Sequence, residues 1–371
     1  MVYRHRMRLL IMVATVITVA FSGASVGRAQ GTGAASAPCT ASTQACTEWV
    51  AVGSGGGRSL IYTTYSLDKK NDKIRRALVM VHGTNRNPDR YFATATAAAF
   101  LAGALEDAVV IAPRVASADG GCRDVLAENE VSWSCGGDSW RSGGVAASHK
   151  DLTSFDFMDA ILKKLANKQM FPNMQAIVVA GHSAGGQFVA RYEMANKVHE
   201  TLGVPVSYVV ANPSSYAWPD ATRPLPVDDA APANAVLGWK EETPHSRFSY
   251  GAFDAAAANC ARYNKWPAGL EDRTSGYTKG MSDEQLKKQL VSRPTTFLLS
   301  QVDTLPLGGF DSSCPAMAQG ATRRARGEAY AKFVNDTMGA KHAVQIVSEC
   351  GHNDRCVYTT PEVLPVIFPK K

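Results

Sequence analysis

Residues 176–186 read A-I-V-V-A-G-H-S-A-G-G, and this stretch decides the fold. Residues 177–180 are apolar and mostly β-branched, long enough for a buried strand and too short for a helix. Gly181-His182-Ser183-Ala184-Gly185 then matches G-x-S-x-G. Residues 187–199 mix Phe188, Val189, Tyr192, Met194 and Val198 with polar residues, contain no proline and read as a helix. Strand, sharp turn with a central serine, and helix together form the context in which G-x-S-x-G presents a nucleophile. Such a turn strains the serine backbone, and side chains two residues to either side would collide with the crossing strand and helix, hence Gly181 and Gly185. The Ala184 N–H, at the helix start, would point where a carbonyl oxygen gains charge. An isolated G-x-S-x-G arises by chance in about one chain in ten, so the reading depends on what surrounds it.

Working outward, residues 48–52 and 59–67 read as strands joined by the Gly-rich turn 53–57. Residues 77–81 form a third, buried strand ending in His82-Gly83-Thr84. An Ala-rich helix is expected over 89–105, and a fourth strand over 108–112 before Pro113. Residues 154–170 are amphipathic, with Phe155, Met158, Ile161, Leu162 and Leu165 on one helical face. Beyond the G-x-S-x-G helix come a strand at 206–211, a strand at 295–300 leading to Asp303, a mostly helical stretch over 315–338 and a last strand at 343–348. That strand runs into Glu349-Cys350-Gly351-His352, and 361–368 reads as a short closing helix. Residues 213–293 carry little strand signal and read as a cap-like insertion in a domain spanning 48–371. Eight strands alternating with helices imply an α/β fold, a mostly parallel sheet covered on both faces, with functional groups at the carboxyl ends of the strands.

The 371 residues, 45% hydrophobic and 19% charged, suffice for a sizeable core. Arg4, Arg6 and Arg8 precede an apolar core at 9–21, and Gly27-Arg28-Ala29 places small residues for cleavage before Gln30. Residues 1–29 therefore read as a signal peptide, with an uncleaved membrane anchor as the alternative, and 30–47 as an N-terminal leader. The remaining chain carries 35 basic against 33 acidic residues and no basic tract, so nothing supports nucleic-acid binding or, after cleavage, stable membrane insertion. No metal-finger spacing, P-loop or dinucleotide fingerprint occurs, so neither a metal nor a cofactor is expected. Eight cysteines in an exported chain suggest disulfides and a secreted or periplasmic destination. Pairing by proximity joins Cys39 with Cys46, Cys122 with Cys135, Cys260 with Cys314, and Cys350 with Cys356, the last bracketing His352.

Ser183, Asp303 and His352, in that order after the fifth, seventh and eighth strands, resemble the α/β-hydrolase family over nearly all of the mature sequence. The resemblance implies an α/β-hydrolase fold, a Ser-His-Asp triad, and an oxyanion hole built from the Thr84 and Ala184 N–H groups after His82-Gly83. Asp311 is the alternative acid, and Asp354 lies two residues beyond the histidine; His182 and His82 are rivals to His352. Aromatics in irregular segments often line pockets. Trp218 is the preferred substrate contact, with Tyr216 and Ser214 beside it; Trp133, Trp140 and Trp266 are equally compatible with packing.

The segments A-N-P-S-S-Y (211–216), S-Q-V-D-T (300–304), D-S-S-C (311–314) and C-G-H-N-D-R-C (350–356) resemble secreted α/β hydrolases that include oxidised poly(vinyl alcohol) hydrolases and poly(hydroxyalkanoate) depolymerase-like esterases. That resemblance implies cleavage of β-diketone or carboxylic ester bonds in a polymer or a small molecule. A catalytically silent binding protein on the same fold is the reading from a different class.

Overall fold

The computed structural model describes residues 37–136, 139–226 and 248–370. The expected signal peptide and residues 30–36 of the leader lie outside the described residues. Six strands come first: β1 (Thr47–Ala51), β2 (Arg58–Thr63), β3 (Arg76–Val81), β4 (Ala108–Pro113), β5 (Ala176–His182) and β6 (Val206–Ala211). A separate antiparallel hairpin, β7 (Thr222–Pro226) and β8 (Phe248–Ala252), precedes β9 (Thr295–Ser300) and β10 (Ala343–Val347). All but the hairpin join one eight-stranded sheet in the order β1-β2-β4-β3-β5-β6-β9-β10. Only β1–β2 and β2–β4 pair antiparallel within it; the other five pairings are parallel. This is the eight-stranded, mostly parallel α/β-hydrolase sheet that the sequence implies.

The physical reason lies in the strand compositions. β3 and β4 are buried on both faces, which suits runs such as A-L-V-M-V and A-V-V-I-A in a covered parallel sheet. β2, nearer the edge, alternates half-buried and buried residues. On one face of the sheet Leu78, Met80, Val178, Ala180, Val209 and Leu298 belong to a core with α1 (Pro88–Leu101) and residues of the C-terminal helices. On the opposite face Val79, Val81, Ile177, Val179, Val210 and Phe297 belong to a larger core with α2 (Ser154–Ala166) and α3 (Ala184–Ala195). α4 (Asp283–Ser292), α5 (Cys314–Met317) and α6 (Arg323–Met338) follow, and α7 (Asp354–Thr359) and α8 (Leu364–Ile367) close the chain.

Several boundaries move. β2 ends at Thr63 instead of 67 because Thr63 Oγ1 donates to Tyr65 O and the chain turns away. The helix expected over 154–170 starts with a Thr153–Asp156 capping box and stops at Ala166, where Asn167 adopts an extended conformation. The stretch 315–338 is two helices, separated at Gly320, whose φ of 142° suits glycine. Within 213–293 the structure adds the β7–β8 hairpin and α4, and residues 227–247 lie outside the described residues. Trp218 N–H donates to Ala268 O, and Tyr250 Oη donates to Ala329 O of α6, so described parts of this segment are fastened to each other and to the main body.

Candidate active site

The turn after β5 is built by close approach. A Cβ on Gly181 would lie 2.2 Å from Gly185 O, and one on Gly185 would lie 2.2 Å from Val81 O. Neither position tolerates a side chain while strand and helix cross this closely. Ser183 carries the cost in its own backbone, with φ 59° and ψ −119°, a region that non-glycine residues rarely occupy. The strain keeps its side chain at the carboxyl end of β5, at the N-cap of α3.

Two further loops meet it there. His352, after β10, accepts from Ser183 Oγ through Nε2 at 2.9 Å, and its Nδ1–H donates to Asp303 Oδ2 at 2.7 Å. Asp303, after β9, is 2% exposed. Its strand end is tied to that of β6: the Asn212 amide donates to Ser300 Oγ at 2.7 Å and accepts from Ser300 N–H at 2.8 Å. The Cys350–Cys356 disulfide closes the loop that carries His352, and the Val302 N–H donates to Cys350 O at 3.0 Å, joining that loop to the one holding Asp303. The other three disulfides are Cys39–Cys46, Cys122–Cys135 and Cys260–Cys314.

The rival residues are occupied elsewhere. His82 donates from Nδ1 to Gly83 O and accepts the Val115 N–H at Nε2, which holds the loop after β3. Burial pushes its pKa down to about 4, so it is a neutral strut. His182 is buried against Tyr91 Oη, with its ring 4.6 Å from that of His352, and burial holds it well below the usual histidine range. Asp311 caps Ser313 N–H and is not bonded to His352. Asp354 receives Arg90 and Thr94 of α1, anchoring the helix that follows His352.

A Cβ on Gly83 would fall 3.8 Å from Ser183 Cβ, so the loop bearing Thr84 lies beside the nucleophile, and the same atom would meet Tyr91 Oη at 2.8 Å. Ala184 is the first residue of α3. Thus Gly83, which precedes Thr84, and Ala184 both adjoin Ser183.

The expected substrate contacts are placed differently. Trp218 is fully buried among Tyr250, Tyr330 and Phe333, and Tyr216 is stacked on Tyr330 at 4.3 Å. Ser214 is 3% exposed and accepts from Arg323. All three are buried and packed or bonded to α6; aromatic partners on a distant helix hold the rings that a local reading assigns to a pocket. Trp133 likewise stacks on Phe157, and Trp140 lies 5.2 Å from His82. The loop of 305–310, which carries no motif in the sequence, adjoins the site. A Cβ on Gly308 would approach His352 Cδ2 to 3.3 Å and one on Gly309 would approach Thr84 Cγ2 to 3.4 Å, while Leu307 of the same loop is 61% exposed. Its Gly308-Gly309 pair, both with positive φ, was the available signal. Among the described residues no group of three or more His, Cys, Asp or Glu side chains could hold a metal ion.

A parallel sheet that gathers a strained serine, a histidine and a carboxylate at its carboxyl edge defines a hydrolase. The chain belongs to the alpha/beta hydrolase family, whose sequence profile matches residues 78–364. No curated protein matches it. Among solved structures it is similar to poly(aspartic acid) hydrolase-1 from Sphingomonas sp. KT-1, at 19% identity and a TM-score of 0.56, covering 87% of this chain and 98% of that one. It is also similar to LpqC, the poly(3-hydroxybutyrate) depolymerase of Bordetella parapertussis, at 19% identity and a TM-score of 0.52, covering 84% and 89%. At these identities the likeness is one of fold.

Proposed function

We propose that this protein is an exported serine hydrolase working through an acyl-enzyme, with Ser183 as nucleophile, His352 as base and then acid, and Asp303 orienting the imidazole. The observation that carries the reading is the hydrogen-bonded line from Ser183 Oγ through both His352 nitrogens to Asp303. A serine hydroxyl is a weak nucleophile until a base accepts its proton, and a buried carboxylate fixes the tautomer that leaves Nε2 free to do so. The Thr84 and Ala184 N–H groups would stabilise the tetrahedral oxyanion; loss of one such donor typically costs about 100–1000-fold in rate. Residues 213–293 are assigned as an insertion on the catalytic domain 48–371. The apolar, positively charged N-terminus at 1–29 and the four disulfides support export.

For substrate we favour β-diketone bonds in oxidised poly(vinyl alcohol). Ser183 attacks one carbonyl, the tetrahedral intermediate collapses with the electrons of the C–C bond passing to an enolate, and His352 returns a proton to that leaving group. Water, deprotonated by His352, then releases the carboxylate and restores Ser183. A carboxylic ester of poly(hydroxyalkanoate) type uses the same groups with an alkoxide leaving. The names of the two structural relatives, both polymer hydrolases, support testing polymers first.

The test is a paired rate determination on the mature protein and on Ser183→Ala, with a β-diketone oligomer and a short-chain aryl ester, alongside fluorophosphonate labelling. Serine-dependent cleavage that favours the diketone is expected. Ester cleavage alone moves the assignment to an esterase or polyester depolymerase. Absence of both labelling and turnover moves it to a binding protein on the same fold.

A further inference from the structure

Arg323 is the first residue of α6, and its side chain is fully buried. Its guanidinium meets two loops, the one after β6 and, at two points, the one after β9. Nε donates to Ser214 Oγ after β6 at 2.9 Å, Nη2 donates to Gly308 O at 2.9 Å, and Nη1 donates to Asp303 Oδ1 at 3.3 Å. The ring of Phe310 lies 5.3 Å from it. The two oxygens of Asp303 are thus divided, Oδ2 to His352 and Oδ1 to Arg323. A permanent cation on the far side of the triad carboxylate is no part of the serine mechanism described above.

We propose that Arg323 is a positioning residue whose charge, delivered through Asp303, sets the lower pH limit of catalysis, while its fork fixes the Gly308 loop beside His352. The proposal rests on the serine-hydrolase reading. Catalysis needs His352 neutral before attack and cationic after it. A buried carboxylate with no other partner favours the cation strongly and so withdraws the base as pH falls. A guanidinium bonded to the same carboxylate offsets part of that field, leaving His352 able to accept a proton in more acidic solution.

The surrounding groups do not supply this effect. His182 faces His352 but is kept neutral by burial. Arg90, which acts on His182, is paired with Asp354. Tyr216, its phenol held protonated by burial, lies near Asp303, as does Arg326, which is bonded to Ser214 O and Gly320 O. Asp311 acts on Arg323 and Arg326 from the other side. Arg324 bonds Asp303 O through its backbone N–H but turns its side chain to Glu328 and Gln301 O, so among the described residues Arg323 is the cation that hydrogen-bonds to the Asp303 carboxylate besides His352 itself.

The experiment compares kcat/KM against pH for wild type, R323Q and R323K, on whichever substrate shows Ser183-dependent turnover, within the range where circular dichroism reports a native fold. In R323Q the acidic limb is expected to move up by about one pH unit, a roughly tenfold loss below the limb beyond any change in the plateau. R323K keeps the charge and loses the fork, so its limb stays in place while its plateau falls. A folded R323Q whose limb superimposes on wild type overturns the proposal, as does an R323K limb displaced as far as that of R323Q. If R323Q does not fold, R323K decides: a lowered plateau with an unmoved limb supports the proposal, and a moved limb overturns it. Failure of the serine reading shows separately, as turnover that survives Ser183→Ala.

Discussion

At the scale of single residues, the contrast between Asp303 and Asp311 is the sharpest. Asp303 bonds His352 at 2.7 Å and is buried, whereas Asp311 caps a turn at Ser313. Asp303→Asn leaves an amide that cannot balance the imidazolium, and a loss in kcat of about 10⁴-fold is expected, as for triad acids generally. Asp311→Asn should stay within about twofold, because its bond to the Ser313 N–H survives in the amide oxygen. Steady-state rates of both variants check this; the reverse pattern would reassign the acid. The sequence makes Ser183 and His352 readable because glycine spacing and strand order are local signals. It misleads at Trp218 and Tyr216, whose partners Tyr330 and Phe333 stand more than a hundred residues away. Arg323 goes unnoticed for a related reason: Arg323, Arg324 and Arg326 open α6 like a solvated helix start, yet all three are buried.

At the scale of elements, the loop between β10 and α7 has two independent restraints. One is the Cys350–Cys356 disulfide, and the other is Asp354, held by Arg90 and Thr94. A disulfide closing so short a loop removes little unfolded-state entropy, so its contribution to global stability falls at the low end of the usual ~2–4 kcal/mol. Its effect on activity is expected to be larger in proportion, because a small misplacement of the base slows proton transfer. The double variant Cys350→Ser/Cys356→Ser should lose about tenfold in kcat while unfolding in one transition only a few degrees lower. Wild-type kcat in that variant would assign the restraint to Asp354 alone. Legibility at this scale follows hydrophobic period. The apolar strands of the sheet and amphipathic α2 declare themselves, whereas α4 and α7 are short and polar, and β7 and β8 pair with each other outside the main sheet. The mostly helical reading of 315–338 holds, as two helices interrupted around Gly320.

At the scale of the whole molecule, buried titratable groups make stability depend on pH in two opposing ways. Burial lowers His82 and His342 to about 4 and holds His182 well below its ordinary value. The folded state therefore binds fewer protons at these sites than the unfolded chain. Their contribution is fully present above the unfolded histidine value of about 6.5 and is lost as pH falls from there towards 4, at up to ~1.4 kcal/mol per pH unit for each group. Glu193 works in reverse. Burial raises it to about 8, so the folded state holds a proton that the unfolded chain releases near 4.5. Its contribution is present below 4.5 and fades as pH rises through 8. Between about 4.5 and 6.5 the two trends partly cancel, with three histidines outweighing one glutamate, so wild-type stability should still fall as pH drops below 6; from about 6.5 to 8 the Glu193 trend acts alone and stability should decline by up to ~1.4 kcal/mol per pH unit. Glu193→Gln cannot ionise, so the variant should gain on wild type steadily as pH rises from 5 to 8. Urea unfolding across that range measures the difference directly. A constant offset between the two proteins would mean that Glu193 stays ionised in the fold, paired to Arg293 or to a protonated His342, whose Nε2 lies 3.8 Å from its carboxylate.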